Sequence, residues 1–445
     1  MVNLSQMLSM AGSILDYSPD VPTYRAELRR FINEAYRGLF SNDVWLFAQR
    51  EDHIEIQPDV SVTGMSFVLG PSGNVQMQDP LGRALFRGWM AGAIIEITAG
   101  TGGGAFPALP VEVQVRIFID ANNLILEAKD GQDLSGLSFA GTGVSATIKQ
   151  RYVDMPIDCV DVMSVTLRYP SQERQPFYNL TRWEDEAWML NMDLVARPTN
   201  FILAEDVVVP PPVIQPTCVN LGVVANAVPV AGDFDVVYVH NLGNRQSAPS
   251  PNSTVTTFGA TDGMGVSGMQ NNGVDNSTGL RKQVYMRTPQ SDAFYKVDDP
   301  ASLESVTVSN GSGSGLGIPA SYQIPGRRLP EHDGIYKRIR MYPRQDEVLT
   351  ITVRYLARPP RLLDDSDVPG FPPEYHQLLV FRCCEQLFIK HGNGPLAELY
   401  RERGDAVLAR MQKRYKTTRS QMLVKGDFAQ STTMARPWRT LRHLS

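Results

Sequence analysis

Cysteine is scarce in this chain: 4 among 445 residues, at Cys159, Cys218, Cys383 and Cys384. None forms a CxxC pair, which excludes a zinc ribbon and argues against a disulfide framework. Free buried thiols are expected, as suits assembly in a reducing compartment. Long apolar runs are missing as well: no stretch reaches the ~18 residues of a membrane-spanning helix. Residues 1–17 hold no Lys or Arg and no extended apolar core, so no secretory signal is read there. The expectation is a soluble chain made in a cytoplasm, with no membrane association. No HExxH, no GxSxG, no Cys–His catalytic signature and no internal repeat occurs. Gross disorder is not expected either. Hydrophobic residues make up 42% and charged residues 20%, an ordinary globular balance. At ~150 residues per domain the length predicts roughly three domains, enough to bury a core without disulfides.

What is present begins with an uneven charge. The net charge is −5, yet residues 401–445 carry eleven Lys or Arg against three Asp or Glu, a local +8, leaving −5 − 8 = −13 on the rest. A basic tail follows an acidic body.

Helices are read near both ends. Over Tyr24–Phe47, apolar Leu28, Phe31, Ile32, Ala35, Tyr36, Leu39 and Phe40 form one face, with Pro22 before them, Thr23 as the expected N-cap region and Asn42-Asp43 as the interruption. Tyr375–His391 is a second apolar helix between Pro372-Pro373 and Gly392-Asn393-Gly394, and Pro395 opens a third over Leu396–Tyr415. The short turn predicts an antiparallel helix pair. The fold class expected is α+β: a helical bundle from both chain ends, with a β-rich middle inserted into it.

Strands are predicted at His53–Ile56, Ala93–Thr98, Glu112–Ile119, Leu124–Leu126, Val144–Ile148, Val160–Tyr169 and Asn200–Leu203, with an amphipathic stretch over Leu180–Leu194. Val207–Pro216, with three successive prolines, reads as an extended linker. Beyond it, Phe234–His240, Ser253–Thr257, Val284–Arg287 and Ala293–Val297 read as strands, Thr261–Thr278 as a mobile loop and Asn310–Gly317 as a flexible exit linker. Ile335–Tyr342 and Val348–Tyr355 read as a hairpin joined by Pro343–Glu347. The division expected is 1–50 N-terminal helical part, 51–206 β-rich middle, 207–317 linker-bounded β module, 318–415 hairpin and C-terminal helices, and 416–445 basic arm.

Candidate chemistry is sparse. Gly100–Gly104 lacks the Lys-Ser/Thr and the helix start of a phosphate loop. The six histidines are scattered, and His376 and His391 are too far apart on one helix to chelate an ion, so neither metal nor cofactor is expected. The acidic clusters Glu184-Asp185-Glu186 and Asp364-Asp365 read as a solvated face and a turn-and-cap composition. Only their meeting in space would supply the paired carboxylates of a glycan hydrolase. No enzyme is read. The stretch after Lys416, by contrast, is basic and has little apolar periodicity, so it builds no core of its own. In a free monomer it reads as a disordered basic tail; on a partner it reads as an arm that orders there, anchored by Trp438 and Leu441, with an acidic protein surface or nucleic acid as the target.

Two stretches together carry a resemblance: YRAELRRFINEAYRGLFSNDVWLFAQRED followed by IEI, and IRMYPRQDEVLTITVRYLARPPRLLDDSDVPGFPPEYHQLLVFRCCEQLFIKHG. They resemble the head-to-tail adaptor (connector, or head-completion) proteins of tailed bacteriophages, as does Val160–Leu203 with ARPTNFIL. The stretch FDVVYVHNLGNRQSAPSPNSTVTT, with YMRT and FYKV, resembles a fibronectin type III or immunoglobulin-like β-sandwich module inserted into that plan. The resemblance implies a virion protein of the neck, assembled in the host cytoplasm. It implies a homo-oligomeric ring, commonly of about twelve copies, under the portal protein. Packaged DNA would pass through its lumen without sequence-specific binding, past acidic walls that repel it. Tail or nozzle proteins would dock below. Arg436, Trp438, Arg439 and Arg442 are then the portal-contact residues. A decoration or tail-fibre protein is the second reading, motivated by the inserted module, and the glycan hydrolase the third.

Overall fold

In the computed structural model, residues 2–18, 20–69, 75–102, 111–128, 141–168, 177–184, 194–223, 232–242, 245–257, 262–267, 269, 281–287, 293–296, 316–317 and 328–416 are described. The fold is α+β, with many strands and few helices. The chain divides into two compact units: residues 1–52, 158–166 and 352–445 form the first, and residues 53–157 and 167–351 the second.

The first unit is built on four helices. α1 (Leu4–Leu15) starts at a capping box. The Asn3 side chain accepts from the Gln6 backbone at 2.9 Å, and the Gln6 side chain accepts from the Asn3 backbone at 3.1 Å. Leu4, Met7, Leu8 and Ala11 are its buried stripe. α2 (Pro22–Asn42) begins with Pro22 in the first turn, where its missing N–H is an orphan in any case. Its N-cap is Val21, without a side-chain bond, so Thr23 lies inside the helix and not at its cap. The helix ends where the apolar pattern breaks, and the indole of Trp45 donates to the Leu39 carbonyl at 2.7 Å. α3 (Gln377–Lys390) follows a 3₁₀ turn at Pro373–Tyr375, and α4 (Gly394–Tyr415) starts at Asn393, whose side chain accepts from the Leu396 backbone.

These helices share one core, with Leu28, Ile32 and Tyr36 of α2 against Leu379, Cys383, Cys384 and Leu387 of α3, and Met411 of α4 beside them. Asn33 is the polar tie. It accepts from the Leu362 N–H and donates to the Leu362 carbonyl, both at 2.8 Å, which anchors the segment entering α3 on α2.

The second unit contains a closed six-stranded barrel in the order Val60–Leu69, Val75–Gln78, Asn123–Ala128, Val111–Asp120, Ile94–Gly102, Gly141–Lys149. Alternate residues (Ile95, Ile97; Val113, Val115; Leu124, Leu126; Val144, Ala146, Ile148) fill it, as a two-residue period requires. A second sheet runs Thr181–Trp183, Asn200–Val208, Ile335–Tyr342, Val153–Asp154. Residues 217–296 contribute two further sheets. One contains Thr217–Val223 and Asp262–Ser267; the other centres on Gly232–Leu242, paired with Ser253–Thr257 and Arg281–Arg287. Phe234, Val236, Tyr238, Val284 and Met286 of the larger sheet share a core with Val266 and Cys218 of the smaller. The larger sheet is tied to the rest of its unit: Arg245 grips Asp154 at 2.7 and 3.0 Å, and Gln246 exchanges bonds with the Tyr336 hydroxyl.

Several expectations are corrected. Ile335–Tyr342 and Leu349–Ala357 are not a hairpin: the first pairs with Asn200–Val208, and the second lies between Gln49–Ile56 and Cys159–Arg168 in another sheet. The connection is held by partners outside the two strands. The Arg344 N–H donates to the Leu194 carbonyl at 3.0 Å, its carbonyl accepts from Ala196, and its guanidinium holds Asp59 at 2.7–2.8 Å. Asp262–Ser267 is a strand within the stretch expected as a loop, because Thr217–Val223 offers it a partner edge. Leu180–Leu194 opens on the strand Thr181–Trp183, and residues 185–193 lie outside the described residues. The strand from Asn200 runs on to Val208, two residues into the expected linker. Most of Asn310–Gly317 also lies outside the described residues; Leu316 and Gly317 pair with Val266 and Gly265.

Two predictions follow from this packing. Asn33→Ala removes both bonds to a buried peptide group and is expected to destabilise the protein by about 1–3 kcal/mol in chemical denaturation; an unchanged midpoint contradicts the tie. Lys282 is 3% exposed, its ammonium donates to the Met269 carbonyl at 2.9 Å, and burial pushes its pKa down to about 8. An unfolded lysine keeps its proton to about pH 10. Between these values the unfolded state binds more protons, so folding is strengthened as pH rises from about 8 to 10. Lys282→Met is expected to unfold later at pH 7 and to lose this gain, which parallel stability–pH curves for the two proteins would refute.

Candidate interface

Among the described residues, surface features of the helical unit stand out over any catalytic set. Cys383 and Cys384 are fully buried, and burial pushes both thiols up, Cys384 to about 12. Such thiols are poor nucleophiles. His376 is buried, with Nδ1 3.0 Å from the Val2 carbonyl and Nε2 2.9 Å from the Phe371 carbonyl, where it ties the chain before α1 to the entry of α3. Asp365 pairs with Arg25. The Asp367 carboxylate accepts from the backbones of Leu363 and Asp364, and the carbonyls of Asp365 and Asp367 receive the first amides of α1, Ser5 and Leu4. The acidic run at 364–367 is thus a turn that caps a helix. Glu184 follows the strand Thr181–Trp183, and Asp185 and Glu186 lie outside the described residues. No group of three or more His, Cys, Asp or Glu is placed to hold a metal among the described residues. No described helix is long and apolar enough to cross a membrane, which leaves strand-built spans aside.

Among the described residues, two concave surfaces of the helical unit bear on recognition. One, of about 350 Å³, is lined by Arg29, Arg30 and Arg37 of α2 with Arg361, Asn33 and Glu34. Arg29 also reaches the Leu363 carbonyl at 3.3 Å, and Arg30 lies 3.6 Å from Glu34. Guanidinium groups in this density favour carboxylate or phosphate partners. Arg30 and Arg37 fall on the side of α2 away from Leu28, Ile32 and Tyr36, and the half-buried Arg29 lies at the edge of the buried stripe.

The other, of about 460 Å³, runs between α2, α3 and α4. Its floor is Leu39, Trp45, Leu378, Leu379 and Leu408, and its rim carries Glu34, Asp43, Arg382, Glu385 and Gln412. Gly38 lies within it, and a Cβ there would meet no atom within 4 Å. A glycine inside a helix costs roughly 1 kcal/mol relative to alanine, and this is the sequence signal that marks the groove. At one end Trp45 pairs with Lys416 as an antiparallel bridge. There the Lys416 ammonium and the Gln412 amide both hold the Asp43 carboxylate. Tyr415 packs edge-on against Phe47, ring centroids 6.0 Å apart. The basic arm therefore leaves the described residues from a fixed root beside this groove. Arg436, Trp438, Arg439 and Arg442 themselves lie outside the described residues.

Comparison with known proteins bears on this region. The family model described as SU10 adaptor protein matches residues 269–426, less than half of the chain. No curated protein matches, and no solved structure matches. The match takes in α3, α4 and the root of the arm, and leaves α1 and α2 outside. The matching family is one of structural phage adaptors and not a known enzyme family, and the similarity supports an adaptor reading of this chain.

Proposed function

We propose that the chain is a structural head-to-tail adaptor of a tailed bacteriophage. Copies form a ring under the portal protein, extend the DNA channel and present the platform on which tail or nozzle proteins dock. The observation that carries this reading is the adaptor family match at residues 269–426, which includes the α3–α4 pair and the root of the basic arm. The protein then acts in the virion neck after assembly in the host cytoplasm. The division of labour follows the chain. Residues 1–50, 51–206 and 318–415 make the adaptor core. Residues 207–317 form an immunoglobulin- or fibronectin III-like sandwich, a reading supported by the two sheets that share the Phe234–Val266 core. Residues 416–445 are the arm that reaches the portal through Arg436, Trp438, Arg439 and Arg442, since Trp and Arg dominate interface energies.

DNA passes through the lumen without sequence-specific contacts. The −13 carried by residues 1–400 supports this, because like charge keeps the duplex from adhering. Cosedimentation with the portal ring tests the arm. Deletion of residues 436–443 is expected to weaken portal binding by about tenfold or more, the effect of losing at least one hot-spot contact, while the melting temperature is unchanged. Undiminished binding by the folded deletion overturns the arm assignment.

A further inference from the structure

We propose that residues 208–214 form a polyproline-type ridge that docks into an aromatic-lined groove of another protein. Pro210, Pro211 and Pro212 fix their own φ at about −65°, and each holds the residue before it out of the helical region. The chain there is a polyproline II turn, with three residues per turn and no internal hydrogen bonds. Burial follows that period: Val209 and Pro212 are buried, and the residues between and beside them are exposed. The buried edge is fastened. Val209 packs with Ile119, Ile125 and Tyr336, and its N–H donates to the Gly334 carbonyl at 2.8 Å. Gly334 has φ +75°, and a Cβ there would stand 2.7 Å from the Val209 carbonyl oxygen, so glycine is what lets the ridge sit this close. At the far end the hydroxyl of the buried Tyr238 donates to the Ile214 carbonyl at 2.9 Å.

What the ridge presents is apolar: Val208 is 62% exposed, Val213 72% and Ile214 52%. Ile335, the strand partner of Val208, is exposed beside it. Contiguous apolar surface of this kind marks an interaction site. No Asp, Glu, Lys or Arg occurs from Val207 to Val219, so charge does not direct the recognition. The three prolines have no N–H, so their backbone offers acceptors only and cannot extend a sheet. Trp and Tyr side chains meet both needs, with a flat apolar face for the pyrrolidine rings and an N–H or O–H donor for the carbonyls. Among the described residues, Tyr24 is the one aromatic in the set of exposed large apolar side chains, so a second copy of this chain offers no such groove there. The ridge is ordered before it binds, which lowers the entropy cost of docking. None of this depends on a ring or a portal, so it stands apart from the adaptor reading.

Methyl NMR of the full-length protein, labelled at Val, Leu and Ile, tests the ridge with two small probes. Indole stands for a partner's Trp side chain, and cyclohexanol supplies a donor and an apolar ring without an aromatic face. Val348 and Ile389, exposed aliphatic residues outside the ridge, are the internal reference. Indole is expected to shift the methyls of Val208, Val213 and Ile214 about threefold or more beyond those of the reference pair, and beyond what cyclohexanol does at equal concentration. Val213→Asp is expected to bring the shifts at Val208 and Ile214 down to the reference level with an unchanged melting temperature, because the replaced side chain faces solvent. Shifts at the ridge no larger than at Val348 and Ile389, equal shifts with cyclohexanol, or shifts that survive Val213→Asp overturn the proposal. The solution mass of the two proteins is expected to be the same; self-association lost in Val213→Asp assigns the ridge to a second copy and overturns it as well.

Discussion

The helical unit depends on burying α3. Leu378, Leu379, Val380, Cys383, Cys384 and Leu387 point in directions that no single neighbour can cover, so the helix is stable only with partners on several sides. Those partners come from both ends of the chain: α1 and α2 precede the β-rich segments, and α4 follows α3 directly. At about 25 cal/mol per Å² of apolar surface, each large side chain buried here contributes on the order of 2 kcal/mol. The polar ties of Asn33 to Leu362, and of Asp365 and Asp367 to the start of α1, then fix which surfaces meet. The same convergence of three helices leaves the groove beside Trp45, where α2, α3 and α4 do not close completely over Gly38.

What could be read before folding was what depends on near neighbours. The stripe from Leu28 to Phe40, the apolar run from Leu378 to Leu387, and the Gly-Asn-Gly-Pro turn between α3 and α4 are local signals, and the helices fall on them. Leu4–Leu15 went unread because Ser5, Gln6, Ser9, Gly12 and Ser13 dilute its pattern, although Asn3 and Gln6 spell a capping box. Strand pairing is a long-range property. Ile335–Tyr342 looks like half of a hairpin until Asn200–Val208, over a hundred residues earlier, claims its edge. The strands Val60–Leu69 and Val75–Gln78 were missed for a related reason: the Gly64 interruption and the short second run look like loop until the barrel closes around them. The groove is a relation among α2, α3 and α4, and Gly38 inside a helix is the one mark it leaves in the sequence.

Among the described residues, several titratable groups of the helical unit are engaged in holding it together: Asp365 with Arg25, Lys390 with Glu27, Arg382 with Glu385 and Asp405. The acidic pair at 364–365 belongs to a turn whose carbonyls cap α1, and Asp365 also pairs with Arg25. The surfaces with distinctive chemistry are the arginine-lined notch on α2, the apolar groove and the fixed root of a basic segment, which are features that serve recognition.

The central claim is that this chain assembles on a portal as a structural adaptor. The most direct measurement is the solution mass, by native mass spectrometry, of the full-length protein mixed with the portal ring encoded in the same genome. The account predicts a complex carrying one copy per portal subunit. Two separate species, with the portal ring intact and the protein folded, would contradict it.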